Sequence, residues 1–373
     1  MRLHRPILLV VALGLFGCGK KDPTPAPVPS NPSNPAPAAP EADAAPTAAT
    51  PDATPAPVPE ADAVAQPAPD AAPPAATDDA APAPIDDATA AAPADATLIA
   101  RGAFIAGISG CPQCHTPFGP NGPDMAKAWA GGLEVPEAFG TWRSPNITQD
   151  KKTGIGGWTD AEILASVREG KRPDGSGLYP IMPWPFYHRM SDDDGKALVA
   201  FLRTIAPIEN AVAGNTDLKL PKMELPKPAG TPPGPEPLAQ GEYLATLMHC
   251  GACHTPMTDK GPDMSRWLAG GMKFEMPFLG EGAVYASNLT PHATGTGEWT
   301  DAELTIALRD MKRRDGSPIM GPMAMYQATW SQIPEAELGH IVTYLRSVAP
   351  VDNAIPKSDF KPKGPPPGAP ATP

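Results

Sequence analysis

Cysteine is scarce in this chain, and almost none of it is spare. Five are present in 373 residues; four fall in two short motifs, CPQCH at 111–115 and CGACH at 250–254, which leaves Cys18 alone. A framework of structural disulfides is therefore excluded unless the motifs themselves are oxidised. Aromatic residues make up only 6%, against 54 prolines and 35 glycines, so much of the length cannot be packed interior. The apolar run Ile7 to Phe16 is ten residues long, too short to cross a bilayer. Cationic surface is lacking as well: the net charge is -12 and nothing marks a nucleic-acid interface. Convincing strand alternation is also missing throughout.

Arg2 and Arg5 precede the short apolar run, the pattern of an export signal. That signal ends in LFGC and resembles a bacterial lipobox, which implies cleavage before Cys18 and acylation of its thiol. An ordinary signal peptide cut near Gly17 is the alternative; either way the mature chain works outside the cytoplasm. The expectation is a lipoprotein signal at 1–17 and a periplasm-facing protein, lipid-anchored to the inner or outer membrane of a Gram-negative bacterium. Residues 18–97 drift through Pro, Ala, Asp and Thr, with 2 lysines against 12 acids. Such a segment cannot bury enough surface to offset the entropy of ordering it, so a disordered tether is expected. Its ceiling is roughly 3.1 Å per residue where proline holds it extended.

Beyond the tether the chain repeats itself. LIARGAFIAGISGCPQCHTPFGPNGPDM corresponds to LAQGEYLATLMHCGACHTPMTDKGPDM, SPNIT to ASNLT, WTDAEILASVREGKRPDGS to WTDAELTIALRDMKRRDGS, and ALVAFLRTIAP to HIVTYLRSVAP. The expectation is an all-α chain of two tandem domains, 98–210 and 238–352. A Pro-rich linker at 211–237 joins them and a Pro-rich tail follows at 353–373. WTDAE and its copy each carry a capping box: Thr159 and Thr300 accept from the third helical amide while Glu162 and Glu303 reach back. Ile163, Leu164 and Val167 then share a face, and Leu304, Ile306 and Leu308 do so loosely. Helices are also expected from Ser191, with Leu198, Phe201, Leu202 and Ile205 at helical spacing, and from Pro334. Domains with so few large apolar residues would have a thin core, which a large apolar prosthetic group would complete.

CxxCH is the attachment sequence of c-type haem. Residues i and i+3 lie on one side of a helical turn, so Cys111 and Cys114 can both bond the vinyl groups of one porphyrin. His115 is then directed at the iron as proximal ligand, and Cys250, Cys253 and His254 do the same in the second repeat. Structural zinc would want a fourth good ligand in each repeat, and a thioredoxin-like site would want a βαβ context. The partner on the far side of the iron decides the chemistry, since a thioether is a soft donor that stabilises ferrous iron and closes the coordination sphere. Met182 stands in a Pro-bounded loop of the first repeat. In the second, Met323 is favoured by the count from Asp315, with Met320 and Met325 as alternatives. His188 and His292 are the histidines that rival methionine, and are expected to be exposed loop residues.

From Asn146 to Pro207 the run NITQDKKTGIGGWTDAEILASVREGKRPDGSGLYPIMPWPFYHRMSDDDGKALVAFLRTIAP resembles the cytochrome c subunits of periplasmic alcohol and gluconate dehydrogenases. The resemblance extends over about 98 to 350. It implies one covalent haem c per repeat with His/Met ligation, Trp158 and Trp299 packed near the haem edge, and NIT and NLT loops closing the pocket. Those subunits often carry three haems, whereas this chain has two motifs. The function expected is a membrane-tethered dihaem electron carrier, not itself an enzyme, exchanging single electrons with redox proteins such as a dehydrogenase, other cytochromes or an oxidase. The alternative is a dihaem peroxidase or oxidoreductase with one open iron.

Overall fold

The computed structural model describes residues 95–119, 122–137, 140–214, 225–259, 261–276 and 280–363, all within one compact unit. The export signal, Cys18 and the tether lie outside the described residues.

Each repeat is framed by a long opening helix laid across a long closing one. In the first, α1 (Ala96–Ile108) packs on a helix at Asp192–Arg203; in the second, Pro237–Leu247 packs on Glu335–Ser347. At each crossing the opening helix has no side chain. A Cβ on Gly102 would stand 1.9 Å from the Ala197 carbonyl oxygen, and one on Gly241 1.9 Å from that of His340. Glycine is what lets the backbones touch there. In chain order the remaining helices are α2 (Cys111–His115), α3 (Asp160–Glu169), α4 (Trp184–Tyr187) and the closing α5. The second repeat has the opening α6, then α7 (Cys250–His254), α8 (Asp301–Arg309), α9 (Gln327–Trp330) and the closing α10.

Both capping boxes form. Thr159 Oγ1 accepts from the Glu162 amide at 3.3 Å while the Glu162 carboxylate accepts from the Thr159 amide at 2.7 Å; for Thr300 and Glu303 the distances are 3.2 and 2.7 Å. Ile163, Val167 and Leu304 are buried, but Ile306 is exposed. Two residues along a helix turn it by about 200°, so Ile306 cannot share the face of Leu304.

Among the described residues the fold is helix-rich, as expected, but not purely helical: ten strands of two to four residues pair as five antiparallel two-stranded ribbons. The longest joins Glu134–Glu137 to Gly140–Arg143, with Val135 opposite Trp142. Two-residue partners such as Phe118–Gly119 and Gly122–Pro123 are too short for a period-two pattern to register in the sequence.

One buried cluster runs through both repeats, taking Ile105, Ile108 and Leu198 from the first together with Leu244, Leu247 and Leu338 from the second. A polar clasp reinforces it. Arg101 donates to both Asp194 carboxylate oxygens at 2.6 and 2.9 Å and to Glu337 at 3.2 Å. Tyr243 in turn donates its hydroxyl to Asp194 at 2.7 Å and accepts from the Ser191 amide. Residues 353–363, the first part of the expected Pro-rich tail, are docked. Asn353 donates to the Ala269 carbonyl at 2.8 Å, Asp359 accepts from the Ala283 amide at 2.7 Å, and Lys361–Pro362 pairs with Gly280–Glu281.

Candidate haem centres

α2 and α7 are each little more than one turn, and each begins on a residue in the left-handed region, Gly110 (φ 74°) and His249 (φ 44°). One turn suffices to set thiols i and i+3 on a common side and the following imidazole beside them. Burial pushes the Cys111 and Cys250 thiols up to about 12, and those of Cys114 and Cys253 to about 11. His115 and His254 are buried too, and desolvation lowers both below the usual histidine range despite a hydrogen bond that opposes it.

That hydrogen bond is the same in both repeats. His115 Nδ1 lies 2.8 Å from the Pro145 carbonyl oxygen and His254 Nδ1 lies 2.7 Å from that of Ser287. A carbonyl can only accept, so Nδ1 carries the proton and Nε2 is left with its lone pair. The carbonyls are held by the residue that follows each. Asn146 Nδ2 donates to the Ile208 carbonyl at 2.7 Å while its Oδ1 accepts from the Thr148 amide at 2.9 Å; Asn288 repeats this with Val351 and Thr290 at 2.9 and 3.0 Å. The NIT and NLT loops thus orient the imidazoles as a second shell does in metal proteins.

In the second repeat a cavity of about 610 Å³ opens beside this imidazole. Cys250, Cys253, His254, Trp299, Met320 and Met323 are among the residues lining it, whereas Met325 is not. Met325 instead presents its carbonyl to Gln113 in the first motif. In the first repeat Cys111, Trp158 and Met182 pack against the large core, and Cys114, Tyr179 and Ile181 against a smaller one of Leu133 and Trp142. The indole N–H of Trp184, two residues beyond Met182, is buried with no acceptor in the structure.

The rival histidines are half-buried rather than exposed, each tied elsewhere: His188 Nδ1 is 3.2 Å from the Arg168 carbonyl, and His292 Nδ1 is 2.9 Å from Thr294 Oγ1. Among the described residues no three His, Cys, Asp or Glu side chains gather as a zinc site would require. Sequence reasoning missed the part played by the C-terminal segment, where Ile355, Lys357 and Phe360 also line the cavity. A signal for it was present. APIENAV at 206–212 recurs as APVDNAI at 349–355, and Asn210 donates to the Ala130 carbonyl as Asn353 does to that of Ala269.

No family profile matches the chain. Curated relatives do. The chain is 32% identical over 268 residues to a dihaem cytochrome c-type protein of Cereibacter sphaeroides, 68% of this chain and 86% of the relative. It belongs to the c-type cytochromes. The cytochrome is also 35% identical over 279 residues to the cytochrome c subunit of a quinone alcohol dehydrogenase from Gluconacetobacter polyoxogenes, and 32% identical over 283 residues to that of a gluconate 2-dehydrogenase from Pantoea cypripedii. In each case 69% of this cytochrome is matched, and it spans 57% and 61% of those two relatives' length. Among the described residues no helix is long and apolar enough to cross a membrane.

Proposed function

We propose that this cytochrome is a dihaem electron carrier built as two tandem cytochrome c domains, with one haem c on each CxxCH motif. The observation that carries the reading is the doubled imidazole geometry: two buried, neutral rings, each with Nδ1–H fixed on a loop carbonyl and Nε2 free to bind iron. The residues fit the group. In the second repeat the cavity has thiols and imidazole together with thioethers, amid apolar walls, and in the first Cys111 and Met182 pack against the same core.

On this reading Cys111, Cys114, Cys250 and Cys253 would hold the haems through thioether bonds. His115 and His254 would bind iron through Nε2, and Met182 and Met323 would supply the thioether donors that complete its ligation. Met323 is preferred because it lines the cavity and Met325 does not, though Met320 lines it as well. When bound, the haem supplies a one-electron couple at the iron. With imidazole and thioether both bound, the iron would have no site left for a substrate, and electrons would be exchanged at the haem's exposed edge. Trp158 and Trp299 would cover that edge, for which Trp299 has its place in the cavity wall as support.

The dehydrogenase relatives support a role as the electron-accepting subunit of a periplasmic dehydrogenase, passing electrons on to another cytochrome or an oxidase. A lipid on Cys18 and the Pro/Ala-rich tether would hold the carrier near its membrane. Mass spectrometry of the exported protein tests the central claim. Two added haems, each on a peptide containing one motif, are expected; an unmodified mass overturns it. Peroxide turnover with high-spin iron at one haem would instead favour the open-iron enzyme.

A further inference from the structure

The two motif helices both begin beside one aromatic ring. Gly110, which opens α2, lies so close to Tyr326 that a Cβ there would stand 2.5 Å from ring carbon Cε1 and 3.1 Å from the phenol oxygen. His249, the residue that opens α7, has its ring centre 6.0 Å from that of Tyr326. Tyr326 also lines the cavity beside Cys250 and lies within electrostatic reach of all four motif sulfurs. Its surroundings are fixed. Trp330 packs 4.9 Å from it and donates to the Ile108 carbonyl; Tyr187 packs 6.3 Å from His249 and donates to the Ser109 carbonyl at 2.6 Å. Gln113, inside the first motif, ties back to the Met325 carbonyl and Thr329 Oγ1 at 3.3 and 3.2 Å.

We infer that electrons cross between the two haems through this wedge, with Tyr326 as the positioning residue that holds the starts of both motif helices beside one ring. The inference rests on the reading of both motifs as haem sites. One electron leaves ferrous iron in one repeat, which becomes ferric, and enters ferric iron in the other, which becomes ferrous. Tyr326 keeps its phenolic proton, and no bond forms or breaks. A buried wedge of packed rings, two of them held by hydrogen bonds to backbone carbonyls, has little to reorganise when charge moves past it.

The haem count of the purified full-length protein separates the two claims, because fewer than two haems defeats the site assignment itself. With two present, electron paramagnetic resonance of the fully oxidised protein should show magnetic interaction between the ferric centres. A plain sum of two isolated spectra overturns the wedge. Redistribution of a single photochemically injected electron should then keep its fast phase in Tyr326→Phe and lose it in Tyr326→Leu, compared in preparations of each variant that carry two haems. An unaltered fast phase in Tyr326→Leu also overturns the inference. The resonance measurement needs no variant, so it decides the matter even if the leucine protein fails to fold.

Discussion

At the scale of single residues, the two sites are alike where the sequence repeats and differ where it does not. His115 and His254, Asn146 and Asn288, and Thr148 and Thr290 make the same bonds in both copies. The methionine loops differ in length and composition: DGS opens both, but PIM follows it three residues sooner in the second, and α9 follows a 3₁₀ turn at Gly321–Tyr326. Two substitutions read this out. Met182→Ala should leave the haem attached but open the first iron to exogenous ligands such as imidazole; an unchanged spectrum would indicate a different ligand. Met323→Ala should do the same at the second iron, and if Met320→Ala does so instead, the assignment moves three residues back. Candidate ligands were legible because spacing sets them, while the choice among three methionines depends on which one the loop turns toward the cavity.

Secondary-structure elements were legible where a local chemical rule governs them. The capping boxes of α3 and α8 are such a case, since the four residues involved need no distant partner. Thr300→Ala should cost about 1 kcal/mol, visible as a lower denaturant midpoint. Bonds to the Thr backbone amides and hydroxyls hold the Glu162 and Glu303 carboxylates below their usual range. Stability from such lowered groups is complete above the ordinary carboxylate range and fades as the pH falls through the lowered one. Urea midpoints measured from neutral into acid pH should therefore drop only in that acid window. Glu337, raised chiefly by burial, works in the opposite direction. The contacts at Gly102 and Gly241 were not legible, because nothing in a helical pattern says which residue meets another backbone. Gly102→Ala places a methyl group against the Ala197 carbonyl and should cost about 3 kcal/mol, the upper end for overpacking. A thermal melt of that variant checks it.

Across the whole molecule, the repeat alone suggests two beads on a string. The described structure instead runs one apolar cluster and one polar clasp through both copies. Asp194 stands at the centre of the clasp, accepting from Arg101 and Tyr243. Removing it takes the acceptor from the buried Tyr243 hydroxyl and from two Arg101 N–H groups, so Asp194→Ala should lower stability by about 2 kcal/mol. Both repeats should melt together in a single, lowered calorimetric transition. Two separated transitions, with only one moved, would contradict a shared core.

The sequence by itself determined the duplication, the thioether and imidazole chemistry, and the helix starts, because each rests on residues a few positions apart. Tertiary structure alone decided how the copies meet and which backbone carbonyl holds each imidazole. Those contacts join residues tens to hundreds of positions apart, and no local spacing encodes which of many possible surfaces will be buried together.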